Sequence, residues 1–248
     1  SNSSSDRPAD YWDNPPALLC FSPQINIVRD PRWGRNQETY GESPFLTGTL
    51  AQAYVRHLQG DHPRYLQAVA TPKHFNAFGG RTSNGSYPTG SPTDVTLSLR
   101  DWVETFLTAF EHVLDSTAGA GNNNTAESTM CSYNNMCQVD SYENEDEDED
   151  EDEGEDAGAG AGAGAGASAR AARCPGPSFG VPACASKGLL HDTLRTTWNW
   201  SGYVFGDDGA IKYIQTDHHW AADQPHAARD ALAAGVDMVL GGGCSDKN

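Results

Sequence analysis

Two adjacent aspartates in the stretch YVFGDDGAI are candidates for carboxylate chemistry. Asp207 and Asp208 stand where the apolar, strand-like run 203–205 gives way to glycine. The loops that follow the carboxyl ends of strands are where α/β enzymes place their reacting groups. Neighbouring residues of an extended chain point to opposite sides, so only one of the two can face a shared pocket. We therefore expect one catalytic carboxylate and one aspartate with a structural role.

Polar and charged residues stand at the ends of the other strand-like runs of the chain. They are Arg29, Asp30 and Arg35 after ALLCFSPQINIV, Lys73 and His74 in YLQAVATPKHF, and Tyr133 and Asn134 after STMC. In a barrel of parallel strands these ends would ring one mouth. Cations near an aspartate would depress its pKa and keep it ionised, and the same donors could hold sugar hydroxyls. Cleavage of a glycosidic bond would need such a carboxylate together with a second, protonated acid.

Helical patterns alternate with the strand-like runs. Ser43 and Pro44 open a helix that Gly60 ends, with an apolar stripe at Leu46, Leu50, Ala53, Tyr54 and Leu58. Ser98 caps a second helix, whose stripe is Trp102, Phe106, Phe110 and Val113. Two more helices are predicted in SKGLLHDTLRTTW and DQPHAARDALAAG, and a fifth strand in VDMVLGGG. This order predicts an α/β fold, and the ring of polar strand ends favours a TIM-type (β/α)8 barrel over an open sheet.

One segment divides the predicted domain. Residues 138–178 join an acidic block to an alanine–glycine repeat, and neither can bury enough apolar surface to fold. We expect a disordered insertion, with a tail at 1–17, the barrel domain at 18–137 and 179–243, and a short tail at 244–248. A docking element for basic partners and a retained intron are the alternatives for the insertion.

The composition excludes several classes of function. The net charge is −18, from 34 acidic and 16 basic residues, but twelve of the acids lie in the block 143–156. An acidic chain without a basic stripe predicts no binding to nucleic acid. No run is long and apolar enough to span a membrane, and the six cysteines form no CxxC pair, so no metal site is predicted. Four glycosylation sequons, at Asn2, Asn84, Asn123 and Asn199, favour a secreted or cell-wall protein.

The longer blocks of sequence resemble glycoside hydrolase family 3. The segment SPQINIVRDPRWGRNQETYGESP is similar to that family's SPN-NI-RDPRWGR-QET-GEDP segment. VATPKHFNAF resembles its KHF strand, MCSYN with GVPACAS its MCSYN-VNG-PACA stretch, and GYVFGDDGAI its nucleophile strand. The sequence of the third block is most like that of the β-xylosidase branch of the family, to which β-glucosidases are related. The resemblance implies a retaining exo-glycosidase that acts on oligosaccharides without a metal or organic cofactor.

Carried over position by position, the resemblance assigns roles to six residues. It places the nucleophile at Asp207. It places the sugar-binding residues at Arg35, Lys73 and His74, with Glu38 as the residue that orients Arg35 and Tyr133 as a lining residue.

The chain also departs from the family pattern. Gly206 and Asp208 stand where serine and often cysteine or tryptophan are found, and the segment before SPQINI is too short for the family's upstream sugar-binding aspartate. The acid/base glutamate of the family generally lies in a second α/β sandwich domain, which we expect outside this chain. The barrel is therefore expected to be incomplete, with about five of its eight βα units, and poorly soluble by itself. A catalytically inactive fragment, or a descendant that binds sugar or a protein partner, is the alternative to the enzyme.

Overall fold

The fold alternates parallel strands with helices. It is taken from a computed structural model that describes residues 18–79, 94–117, 125–139 and 180–240. The strands described there are β1 (Leu19–Cys20), β2 (Val69–Ala70), β3 (Lys73–Phe75), β4 (Asp94–Ser98), β5 (Ser128–Cys131), β6 (Asn135–Val139), β7 (Val181–Pro182), β8 (Tyr203–Gly206) and β9 (Met238–Val239). The α/β class predicted from the sequence is confirmed.

Five helices accompany the strands in the described residues. They are α1 (Pro44–Gln59), α2, α3 (Gly188–Thr197), α4 (Ala210–Thr216) and α5 (Gln224–Ala234). Helix α2 runs through three consecutive segments, Leu99–Asp101, Trp102–Leu107 and Thr108–Leu114, of which the middle one is π-helical. None of the described helices is long and apolar enough to cross a membrane.

The main sheet is parallel and has the order β3-β5-β8-β9. Strands β1 and β2 form a separate parallel pair, and a single bridge between Gln24 and Lys73 connects the segment after β1 to β3. The described strands do not close into a barrel, so the structure supports the parallel α/β arrangement but not a closed (β/α)8 ring. The expected number of βα units stays a prediction.

A second, smaller sheet was missed by the sequence patterns. It has the order β4-β6-β7, with β4 and β6 parallel and β6 and β7 antiparallel. Strand β6 ends at Val139 and β7 begins at Val181, so this sheet flanks the predicted insertion on both sides. The rest of the insertion and both predicted tails lie outside the described residues.

Helix α1 has the predicted ends. The hydroxyl of Ser43 accepts a hydrogen bond from the backbone N–H of Leu46, and Gly60 ends the helix with a φ of 79°, which favours glycine. The sequence therefore located this helix correctly from its two caps.

The predicted buried face of α1 is wrong for four of its five residues, since only Leu58 packs against the core. Leu46, Leu50 and Tyr54 are at least a third exposed, whereas the helix buries Thr47, Gly48, Ala51 and Val55. The reason is close packing against α2, because a Cβ atom on Gly48 would lie only 2.6 Å from Cγ of His112. Small residues, not the leucines, allow that approach.

Helix α2 matches its prediction. The Ser98 hydroxyl accepts a hydrogen bond from the N–H of Asp101, and Trp102, Phe110 and Val113 are buried, with Phe106 packed against the same core. The ring of Phe110 meets that of Phe75 on β3 at 5.1 Å between centroids. This contact fixes the sheet against the helical layer directly behind the Lys73–His74 segment.

Candidate active site

Asp207 lies at the carboxyl end of β8 and is almost completely buried. Its Oδ1 accepts a hydrogen bond from the N–H of Asp208 at 2.8 Å, and its carbonyl accepts one from Ala210 at the start of α4. Nε2 of His74 lies 3.3 Å from Oδ2 of Asp207. No donor among the described residues makes a well-formed hydrogen bond to that oxygen. This oxygen is therefore buried and without a donor, which is a hydrogen-bonding capacity that a bound ligand could satisfy.

Burial dominates the electrostatics of Asp207. It raises the pKa of this carboxyl group, although the N–H of Asp208, the hydroxyl of Tyr133 and the cations of Lys73 and Arg35 all act to lower it. The expectation that nearby cations would depress the pKa is therefore wrong in its net direction. Those cations limit the rise instead of reversing it.

His74 is held in its neutral form. Complete burial, reinforced by the charges of Arg35 and Lys73, keeps its pKa well below the ordinary value. The contact with Asp207 is therefore one between a neutral imidazole and a carboxyl group, not an ion pair. A neutral imidazole N–H directed into the site can also donate to a sugar hydroxyl.

Asn26 fixes the position of His74, and sequence reasoning did not single it out. Its Oδ1 accepts the backbone N–H of His74 and its Nδ2 donates to the carbonyl of His74, both at 2.8 Å. The peptide bonds Lys73–His74 and Phe75–Asn76 are both cis. The SPQINI block, which contains Asn26, was the signal that pointed to this part of the chain.

Arg35 and Glu38 form a bidentate pair. Nε of Arg35 donates to Oε1 of Glu38 at 2.7 Å and Nη2 donates to Oε2 at 2.8 Å. The turn Asn36–Glu38 holds the two side chains together, and the guanidinium also lies 5.5 Å from the ring of Phe78. The hydrogen bonds from Arg35 lower the pKa of Glu38. Glu38 thus orients Arg35, whose charge also acts on Asp207.

Lys73 lies beside the same carboxylate. Its pKa is lowered by burial, against the opposing charge of Asp207. The residue is half-buried on β3, and its charge and that of Asp207 act on each other. Together with Arg35 it makes one side of the site cationic.

Tyr133 covers another side of Asp207. Its ring contacts those of Phe78 and Tyr213 at 5.8 and 5.5 Å between centroids. Burial and the neighbouring carboxylate of Asp207 raise the pKa of its phenol, which therefore keeps its proton and can donate it in a hydrogen bond. The loop that carries Tyr133 is tied down by a disulfide between Cys131 and Cys184.

Other polar residues predicted at the mouth have structural roles. Asp30 pairs with Arg32, Arg29 lies over the ring of Phe106, and Asn134 donates to the carbonyl of Asn76. His218, in the segment 216–220, contacts the carbonyl of Tyr133 with its imidazole at 2.7 Å and thereby supports the loop that carries Tyr133. The described residues contain no group of three potential metal ligands.

The structure thus brings the six predicted site residues into one region, around the buried and unpaired oxygen of Asp207. The profile of the glycosyl hydrolase family 3 N terminal domain matches residues 17–127 and 172–244 of this sequence. The chain belongs to glycosyl hydrolase family 3. The resemblance inferred from its sequence blocks is confirmed.

Relatives in this family include named xylosidases. The chain is 33% identical over 240 residues to exo-1,4-β-xylosidase bxlB of Emericella nidulans, which covers 94% of this chain and 23% of that protein. It is 32% identical over 231 residues to probable β-D-xylosidase 7 of Arabidopsis thaliana, covering 90% of this chain and 24% of that protein. The chain therefore spans about a quarter of the length of these relatives.

Solved structures of the family share the fold. A family 3 exo-β-xylosidase, XlnD, determined with a xylobiose aziridine activity-based probe, superposes with a TM-score of 0.64 at 28% identity. The match covers 90% of this chain and 23% of that one. A β-glucosidase from Listeria innocua matches with a TM-score of 0.61 at 27% identity, over 89% of this chain and 23% of that one. Both neighbours support a barrel-type α/β fold.

Proposed function

We propose that this chain supplies the nucleophile and the sugar-binding residues of a retaining, exo-acting β-xylosidase or β-glucosidase. The observation that carries this proposal is the buried, unpaired Oδ2 of Asp207, 3.3 Å from Nε2 of His74 and within the electrostatic influence of Arg35 and Lys73. A carboxylate surrounded by hydrogen-bond donors matches the needs of a glycosidase nucleophile. The names of the relatives favour xylose as the sugar that is released.

In the first step Oδ2 of Asp207 attacks the anomeric carbon. The new bond joins that oxygen to the carbon while the glycosidic C–O bond breaks, and the leaving oxygen takes a proton from an acid. In the second step a water molecule attacks the same carbon, gives a proton to the conjugate base and releases Asp207. Two inversions at one carbon give net retention. The acid is expected to be a glutamate of the second domain, outside this chain.

The surrounding residues contribute through binding and charge. Arg35 and the neutral His74 are placed to donate hydrogen bonds to sugar hydroxyl oxygens, and Lys73 offsets the negative charge of the attacking carboxylate. The hydroxyl of Tyr133 acts to lower the pKa of Asp207 and so favours its ionised, nucleophilic form. Burial opposes that form, which makes the carboxylate more reactive once it has lost its proton.

The disulfide supports the proposal of a secreted or cell-wall protein. Such bonds persist in oxidising compartments. Cys131 and Cys184 are joined, and Cys137 is also disulfide-bonded.

The decisive experiment traps the glycosyl-enzyme. A dinitrophenyl β-xyloside, fluorinated beside the anomeric carbon, has a leaving group that needs no acid, so this chain can be tested without its second domain. We expect a covalent xylosyl adduct by mass spectrometry, on the peptide that contains Asp207. Asp207→Ala should give no adduct, and the control Asp61→Ala, an exposed residue after α1, should give the wild-type yield.

Two results would overturn the proposal. One is an adduct on a different residue. The other is the lack of an adduct on a sample that melts cooperatively, which would favour the alternative of a non-catalytic descendant.

A further inference from the structure

One glycosylation sequon lies wholly within the described part of the chain. Asn199, Trp200 and Ser201 form an Asn-X-Ser sequence, in which the asparagine is the acceptor and the third residue supplies a hydroxyl. They stand in the turn between helix α3, which ends at Thr197, and strand β8, which begins at Tyr203. The proposed hydrolysis makes no use of this turn.

The middle residue of the sequon anchors the turn. Trp200 is 3% exposed, and its indole N–H donates to the carbonyl of Ala126 at 2.7 Å. Its backbone N–H donates to the carbonyl of Leu194 at 2.8 Å. Nη1 of Arg195 donates to the carbonyls of Trp200 and Gly202, and its guanidinium carbon lies 4.8 Å from the centroid of the indole ring. These contacts hold the turn in place from the protein side.

The residues on either side of Trp200 have free side chains. Asn199 and Ser201 are both exposed, and the side chain of neither makes a hydrogen bond or ion pair with another described residue. Asn199 has a φ of 49°, in the left-handed region that asparagine adopts more readily than most residues. A group attached to Nδ2 of Asn199 would therefore displace no polar contact and would lie in solvent.

The turn lies at the opposite end of β8 from the nucleophile. It precedes the amino end of the strand, whereas Asp207 follows the carboxyl end at Gly206. A strand of four residues separates its two ends by about 13 Å. A bulky hydrophilic group on the turn would thus leave the end of the sheet with the candidate active site uncovered.

The disulfide points independently to a compartment where sequons are modified. Cys131 and Cys184 are joined. Disulfides form in the lumen of the endoplasmic reticulum, among other oxidising compartments, and eukaryotic cells attach glycans to Asn-X-Ser/Thr on the secretory route. The motif and the disulfide both favour a chain that follows this route.

We propose that Asn199 carries an N-linked glycan. The donor is an oligosaccharide joined to a lipid diphosphate. Nδ2 of Asn199 forms a bond to the anomeric carbon of that oligosaccharide, while the bond from this carbon to the diphosphate oxygen breaks. The lipid diphosphate leaves, and Nδ2 gives up one proton to a base of the transferring enzyme. The glycan adds a hydrated, solubilising surface at the end of the sheet remote from Asp207.

The test uses the whole chain, secreted behind a cleavable signal peptide from a eukaryotic host that attaches N-glycans. An amidase that removes the glycan in heavy-oxygen water converts each glycosylated asparagine into a labelled aspartate, which mass spectrometry detects. A digest without the amidase corrects for spontaneous deamidation. We expect label at Asn199 in the wild-type chain.

Three substitutions separate the modification from its surroundings. Ser201→Thr should keep the label, because threonine also supplies a hydroxyl, whereas Ser201→Ala should lose it. Asn199→Asp should lose the glycan too, and aspartate also tolerates a positive φ. A chain in which the other three acceptors, Asn2, Asn84 and Asn123, are replaced by glutamine should still show one band that the amidase shifts to lower mass.

Unlabelled Asn199 in the wild-type chain would overturn the inference, whether that chain is secreted or retained in the lumen with its signal peptide removed. Label at Asn199 that persists in Ser201→Ala would overturn it as well, since the sequon would then not be the cause.

The position of the glycan is tested on the same samples. The yield of the xylosyl adduct on Asp207 should be equal before and after amidase treatment, and a lower yield before treatment would contradict a glycan remote from the site. The lack of an adduct in both samples would contradict only the proposed function, because labelling of Asn199 does not depend on hydrolysis.

Discussion

The bidentate pair of Arg35 and Glu38 leads to a prediction whose size follows from its geometry. Glu38→Gln keeps the length of the side chain but removes its charge. It also replaces one acceptor oxygen with an NH₂ group, which then faces Nη2 of Arg35. One of the two short hydrogen bonds is lost and a donor meets a donor, so Arg35 is no longer held in one orientation.

The magnitude depends on how far solvent screens the pair. The Arg35 side chain is 14% exposed and that of Glu38 is 42% exposed. A fully buried charged hydrogen bond would contribute about 1.5 to 3 kcal/mol, but the exposure of Glu38 requires a discount towards the value of surface pairs. We expect about 1 kcal/mol, which corresponds to about a fivefold loss of sugar affinity.

The assay is the kinetics of aryl β-xyloside hydrolysis, together with calorimetric titration of xylose. We expect KM to rise about fivefold with a smaller change in kcat, because Arg35 contacts the sugar in both the ground state and the transition state. Glu104→Gln is the matched control, since Glu104 also pairs with an arginine, Arg100, but at an exposed position on α2. Equal KM and affinity for Glu38→Gln, Glu104→Gln and wild type would refute the positioning role of Glu38.

Three further predictions concern the nucleophile and its support. Asp207→Asn should lower kcat by about 10³-fold or more, and it should raise the melting temperature at about pH 7 but not at about pH 3. Burial raises the pKa of Asp207 in the folded protein, so the ionised carboxylate destabilises the fold at about pH 7. At about pH 3 the group is protonated in both the folded and the unfolded state, and this cost disappears. An equal change in melting temperature at both pH values would contradict this reasoning. Tyr133→Phe removes the hydroxyl that acts to lower the pKa of Asp207, so the acidic limb of the pH profile of kcat/KM should move to higher pH. An acidic limb that stays in place would exclude this influence of Tyr133 on Asp207. Replacing Cys131 and Cys184 by serine opens a loop with a separation of 53 residues. The free energy of unfolding, measured with denaturant, should fall by about 4 kcal/mol because the unfolded chain gains freedom. An unchanged free energy of unfolding would contradict this.

Much of the local structure follows from the sequence because it depends on near neighbours. The caps at Ser43, Ser98 and Gly235 are made with residues three or four positions away, so their identity was sufficient to locate the helix ends. The ordered sequence blocks were likewise sufficient to assign the family. Five of the six predicted site residues stood at the ends of strand-like runs, whereas Glu38 and the roles of all six came from the family resemblance.

The tertiary structure decided what depends on distant contacts. The buried face of α1 was unpredictable from its apolar stripe, because the approach of His112 from α2 requires Gly48 and leaves Leu46 and Leu50 exposed. The small sheet β4-β6-β7 pairs strands that lie far apart in the chain, and short strands carry little pattern of their own.

The site shows the same division. Types and spacing indicated a carboxylate among cations, but the direction of the Asp207 pKa depended on burial, which is set by everything packed around it. Asn26 and Tyr213 became visible only once β3 and α4 stood beside the nucleophile. The sequence by itself determined the family and the candidate nucleophile. Only the folded chain determined the solvation of that nucleophile and the surface beside it, because both depend on residues brought together from distant parts of the sequence.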